Sequence, residues 1–171
     1  MEIVVILNNI RSNENVGSIF RTCDAAGVSK IILCGYTPAP VDRFGRENKG
    51  LIKASLGAEK FVEWEKAESF EEIIERLKIE RFRIVGIEQD KNAIDYRKIE
   101  NRKTKNIALV FGNEVNGLSK EDLKLCDLVA EVPIHGAMVR QAHHPRNSMQ
   151  GKESLNVSVA AGIALFRLFD R

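Results

Sequence analysis

Residues 112–119 read GNEVNGLS, two glycines separated by four residues and followed by Leu118 and Ser119. A P-loop has this spacing but needs a lysine where this chain has Leu118, because the lysine reaches the outer phosphates. The turn therefore argues against a triphosphate ligand, and so against a nucleotide hydrolase or kinase; no Walker-B, kinase or G-x-G-x-x-G signature compensates. It offers Gly112 for close approach of backbone to a ligand, Gly117 for a positive φ, and Glu114 between them. The plain alternative is a tight strand-to-helix connection capped by Ser119. Three further segments carry similar ambiguity. In NENVGSIFRTCDAAG, 13–27, a helix over 16–26 would offer free N–H groups to an anion such as a phosphate, with Arg21 one turn in. Read plainly, it is an amphipathic helix with Arg21 in water and Asn15 as its cap. EVPIHG, 131–136, is a strand end and turn whose backbone could bind an adenine or ribose, or merely turn. SLNVSVAAG, 154–162, sets Ser154 and Asn156 at a helix start, facing a ligand or simply capping a half-buried helix.

The elements that would hold these segments follow from hydrophobic pattern. Continuous apolar runs predict strands over 3–7, 30–35, 82–88, 105–112 and 128–134, with another near 60–64. Helices are predicted over 16–27, ending at Gly27, over 49–56, over 69–80 with Ser69 as cap and Glu72 in a capping box, and after Ser119. A last helix over 155–169 is predicted to have Ser154 as cap and Leu155, Val159, Ile163 and Phe166 on one face. Strands alternating with helices predict an α/β fold with a mainly parallel sheet flanked by helices. Ligands bind such sheets at the carboxyl ends of strands, and 8–17, 112–119 and 133–136 all lie just past predicted strand ends.

At 171 residues the chain is expected to form a single domain, 1–171. A net charge of +2 gives no strong nucleic-acid footprint in total, though a local basic face stays open. No apolar run is long enough to cross a membrane, and residues 1–9 lack the regions of a signal peptide. Cys23, Cys34 and Cys126 are odd in number and widely spaced, which argues against a disulfide framework or a zinc site and for a reducing cytoplasm. Cys126 has no histidine at a suggestive spacing and reads as a structural thiol. Residues 137–150, AMVRQAHHPRNSMQ, have no periodicity, and Pro145 breaks any helix. They read as a solvated loop; a metal site from His135, His143 and His144 lacks a nearby carboxylate or Cys, and a basic lid using Arg140 and Arg146 is the third option.

The four motifs NVGSIFR (15–21), FGNEVNGLS (111–119), VPIHG (132–136) and SLNVSVAAG (154–162), in this order, resemble the TrmH family of SPOUT methyltransferases over almost the whole chain. The resemblance implies an α/β domain with a deep trefoil knot at its C-terminal end. It implies a homodimer that transfers a methyl group from S-adenosyl-L-methionine, without a metal, to a ribose 2′-hydroxyl of tRNA or rRNA. It places Gly112, Ile134, Gly136, Ser154, Leu155 and Asn156 at the methyl donor and Asn15, Arg21 and Glu114 on the catalytic side. The donor is a nucleoside without phosphates, which is why the turn at 112–119 needs no lysine. No extra RNA-binding domain is evident, so the chain is expected to join the small, single-domain branch that includes enzymes acting on the tRNA wobble ribose.

A guanidinium holds its proton firmly, so Arg21 is expected to bind RNA phosphate and stabilise developing alkoxide charge, not to act as the base. A phosphate oxygen or Glu114 is left to take the proton. RNA is expected to be gripped by Arg11, Arg43, Arg46, Lys49 and Lys53. The chain departs from the family at one place: 17 residues, 137–153, separate the P-x-x-G turn from S-L-N, where relatives have a few. The atypical inserted loop, 137–150, either bulges outward and leaves the pocket intact, or disables donor binding and leaves an RNA- or donor-binding relic.

Overall fold

Residues Ile3 to Leu7 are all buried, which only a strand covered on both faces allows. That strand, β1 (Glu2–Asn8), lies in the middle of a seven-stranded sheet. The structure, a computed structural model, describes residues 2–99, 106–135 and 154–169. The other strands are β2 (Lys30–Cys34), β3 (Glu63–Ala67), β4 (Arg83–Ile87), β5 (Ile94–Asp95), β6 (Asn106–Phe111) and β7 (Leu128–Glu131). Their order is β3-β2-β1-β6-β4-β7-β5, and every pairing is parallel. The predicted parallel α/β sheet is therefore present. The implied knot and the 137–150 segment depend on residues outside those described.

Helices cover both faces. On one lie α1 (Asn13–Ala26), α2 (Lys49–Ser55) and α5 (Val157–Phe169), packed on Ile3, Val5 and Leu7 of β1. On the other, α3 (Phe70–Ile79) and α4 (Lys120–Leu125) cover Val4 and Ile6. The alternation along β1 is the two-residue side-chain period of a strand. Edge strand β3 is protected by charge: Lys30 reaches Glu63 at 2.6 Å, and Arg76 pairs with Glu65.

Several boundaries moved. Helix α1 starts three residues earlier than expected because Ser12, not Asn15, is its cap: the Ser12 hydroxyl accepts from the Asn15 amide at 3.1 Å. It ends as expected at Gly27, whose φ of 72° is left-handed. β3 lies later than the predicted strand near 60–64, because Ala58–Lys60 forms a 3₁₀ turn. Helix α5 begins at Val157, and Asn156 takes the capping place expected of Ser154: its Oδ1 accepts from the Ser158 amide at 2.9 Å. The apolar face picked out in α5 is not the one that packs on the sheet. Leu155, Val159 and Phe166 are exposed, while Ala161, Ala164, Leu165 and Leu168 pack on the sheet.

Candidate active site

The carboxyl ends of β1, β6, β4 and β7, four neighbours in the sheet, open into one cleft of about 800 Å³ roofed by the start of α5. Gly112, Ile134, Ser154, Leu155, Asn156, Asn15 and Glu114 all line it. Gly136 lies outside the described residues. Arg21 is exposed on α1 and does not line the cleft of its own chain.

The 112–118 turn is a small hairpin. Asn113 and Gly117 exchange backbone hydrogen bonds at 3.2 and 2.9 Å, and the Asn113 Oδ1 accepts from the Val115 and Asn116 amides at 2.8 and 3.0 Å. The hairpin folds so tightly over Gly112 that a Cβ there would meet the Gly117 carbonyl carbon and the Leu118 nitrogen at 2.5 Å. Gly117 has φ +64°, and a Cβ on it would lie 2.2 Å from the Glu88 carboxylate. That carboxylate accepts from the Leu118 amide at 2.8 Å and so fixes the hairpin to the end of β4. Leu118, in the P-loop lysine position, is a core residue on the face of α3. The turn thus directs that side chain inward, away from any ligand. Asn113 also ties the hairpin to β1, its Nδ2 donating to the Asn9 carbonyl at 2.9 Å and to the Tyr36 hydroxyl at 2.9 Å.

An anion does sit at the N-terminus of α1, but the chain supplies it. Glu114 accepts from the Arg11 amide at 3.0 Å, the Ser12 amide at 2.9 Å and the Asn15 Nδ2 at 3.0 Å. Partial burial pushes its pKa up, but the hydrogen bonds from the Arg11 amide, the Asn15 side chain and the Ser12 amide outweigh burial and hold it below the ordinary carboxylate value. The chain of contacts continues. The Asn156 Nδ2 donates to the Asn15 Oδ1 at 3.0 Å, and the Ser158 hydroxyl donates to the Asn156 Oδ1 at 2.7 Å. Three motifs far apart in sequence therefore meet through side-chain amides and one carboxylate.

Sequence reading missed Glu88, Gln89 and Asn113 in the cleft wall, and the amides of Arg11 and Ser12. Glu88 could have been found, because EQD directly follows a predicted strand. Burial raises the pKa of all three thiols, Cys34 to about 12 and Cys126 to about 11, so none is a ready nucleophile. Among the described residues, no three His, Cys, Asp or Glu cluster to hold a metal, and no helix is long and apolar enough to cross a membrane.

A wholly parallel sheet with helices on both faces and a ligand-sized cleft at its carboxyl edge defines an α/β ligand-binding protein. The chain belongs to the SpoU rRNA Methylase family, whose pattern matches residues 2–140. It is 31% identical over 166 residues to a protein of Staphylococcus aureus assigned to the TrmH family of tRNA/rRNA methyltransferases, covering 97% of this chain and 58% of that one. It is 29% identical to a tRNA (guanosine(18)-2′-O)-methyltransferase of Aquifex aeolicus, covering 96% of this chain and 67% of the relative. Among solved structures it resembles an AdoMet-bound rRNA methyltransferase of Sinorhizobium meliloti, with a TM-score of 0.78 and 28% identity, covering 98% of this chain and 55% of that one. The chain spans little more than half the length of the Staphylococcus and Sinorhizobium proteins.

Proposed function

We propose that this chain transfers a methyl group from S-adenosyl-L-methionine to a ribose 2′-hydroxyl of tRNA or rRNA, in the cytoplasm and as a homodimer. The observation that carries this reading is the convergence of Gly112, Ile134 and Leu155 with the Glu114–Asn15–Asn156 chain in one cleft. The names of the Aquifex and Sinorhizobium relatives support the reaction and the donor. The cleft fits the donor in size and charge. Its volume of about 800 Å³ falls within the roughly 300–1,000 Å³ of small-molecule pockets. Among the described residues lining it, Arg11 is the one cation, against the carboxylates Glu88 and Glu114. Such a lining suits a cationic ligand better than a polyphosphate.

When bound, the donor supplies a methyl carbon on positively charged sulfur. Phe111, Val132, Ile134 and Leu155 provide apolar walls for its nucleoside, and the Gly112 hairpin provides backbone polar groups. Glu114 already accepts three hydrogen bonds and has a lowered proton affinity, so its part is to hold Asn15 and the 11–12 amides in place. A strong base is unnecessary, because a hydroxyl oxygen becomes strongly acidic as it gains the methyl carbon. A weak acceptor, such as an RNA phosphate oxygen, suffices for the departing proton. Arg21 lies on α1, side by side with α5 on one sheet face, and α5 exposes Val159 and Phe166. Dimerisation through these two helices would carry Arg21 toward the partner's cleft, where its fixed charge can bind the RNA phosphate beside the reacting ribose.

Calorimetry with S-adenosylmethionine, followed by mapping of ribose methylation in tRNA and rRNA treated with the protein, tests this. One donor bound per chain and new 2′-O-methyl positions are expected. Absence of both would leave the non-enzymatic relic as the better reading.

A further inference from the structure

Residues 35–48, between β2 and α2, take no part in the chemistry proposed above. We infer that the tip of this segment is an RNA-holding hook: an unpaired nucleobase stacks at Phe44 while the Arg43 and Arg46 guanidiniums engage the flanking phosphates. The inference rests on the reading that RNA is the substrate.

The tip is built, not loose. Asp42 Oδ1 accepts from the Phe44 amide at 2.8 Å and the Arg46 amide at 3.0 Å. The Gly45 amide donates to the Asp42 carbonyl at 3.0 Å, the Asp42 amide to the Arg46 carbonyl at 2.9 Å, and Val41 bridges Glu47. This bonding presents a phenyl ring that is 67% exposed, with the Arg43 and Arg46 guanidinium carbons 4.8 and 5.1 Å from its centroid. A single exposed apolar side chain is ordinary. An exposed ring held in a fixed turn with two guanidiniums beside it is a platform for a base, since RNA readers stack unpaired bases on aromatic rings and guanidinium planes.

The segment is anchored beside the active site. Near its start, the Tyr36 hydroxyl accepts from Asn113, which lines the cleft, and the buried Thr37 hydroxyl donates to the Leu7 carbonyl at 2.9 Å and accepts from the Ile10 amide at 3.1 Å. At its end, the Asn48 Nδ2 donates to the Asn13 Oδ1 at 2.7 Å, at the start of α1. The first foot therefore touches Asn113 of the cleft wall, and the second stands at the start of α1, next to Ser12 of the same wall. Charge favours a polyanion: Arg46 occupies Asp42 at 2.7 Å, Glu47 is the remaining acid, and exposed Lys49 and Lys53 follow on α2. A nucleic acid, not an apolar protein surface, is the occupant this chemistry fits.

The test uses the full chain with bulk tRNA and a single-stranded 12-residue oligoribonucleotide containing 2-aminopurine, over a series of salt concentrations. Phe44→Ala should weaken binding about tenfold and Phe44→Trp should restore it, with 2-aminopurine quenched at the tryptophan. Arg43→Ala should lower the salt slope by about one, and Arg46→Ala by less, because Arg46 already pairs with Asp42. Donor binding by calorimetry should be unchanged in all of them. If the wild type binds RNA and Phe44→Ala binds it equally well, the hook is overturned while the substrate reading stands. If the wild type binds neither RNA, both fall. If Phe44→Ala instead splits a dimer in light scattering, the ring belongs to a protein interface and the hook is overturned.

Discussion

Glu114 brings a negative charge to the end of α1, where the Arg11 and Ser12 amides lie beyond the reach of helical hydrogen bonding. Charge-assisted bonds of this kind are individually worth about 1.5–3 kcal/mol, and the solvent-exposed part of the carboxylate reduces the net value to about 1 kcal/mol. Because the folded-state pKa lies below the unfolded one, the contribution is complete above the ordinary glutamate pKa of about 4.3. It disappears as pH falls through the lower folded value. Glu114→Gln cannot titrate, so the wild type should melt about 2–4 °C above it from pH 5.5 to 7, and the gap should narrow as pH falls below the ordinary glutamate value. A gap that did not narrow on acidification would show that the charge is not what the two amides require. In turnover assays the variant should lose activity without losing donor affinity, since Glu114 and its partner Asn15 are proposed to lie on the catalytic side.

The strands were legible because burial on both faces forces continuous apolar runs, and a run such as IVVIL has few other uses. Helix α3 was legible because its apolar stripe and Ser69 cap agree, with Ser69 accepting from the Glu72 amide at 3.2 Å. Helix α5 was not. Its sequence is apolar nearly all round, so periodicity alone chose Val159 and Phe166 over the smaller Ala161 and Ala164 that fit against the sheet. The cleft was legible as a set of turns past strand ends, but the bonds joining them were not, because strand order decides which turns become neighbours. Close packing between α1 and α2 was equally hidden. A Cβ on Gly17 would lie 2.6 Å from both the Ala54 Cβ and the Leu51 carbonyl oxygen. Gly17→Ala should therefore push α2 off α1 and cost about 1–3 kcal/mol in urea unfolding. Because Asn48, the cap of α2, grips Asn13, the same change should loosen the segment carrying Phe44.

The exposed apolar residues of α5, Val159 at 49% and Phe166 at 51%, make a surface that solvent disfavours. In the proposed homodimer they are covered. Val159→Glu with Phe166→Glu should give a monomer by light scattering that still unfolds cooperatively; a double variant that stays dimeric would move the interface elsewhere. The order of assembly within each protomer has its own consequence. β1 precedes the other described strands and lies inside the sheet, yet the Glu2 amide donates to Asn106, 104 residues later. At roughly 5–20 residues per second a ribosome needs about 5–20 s to deliver that neighbour. Throughout that interval one edge of an apolar strand, buried on both faces in the folded sheet, stands bare, which makes the half-synthesised chain a natural client for holding chaperones.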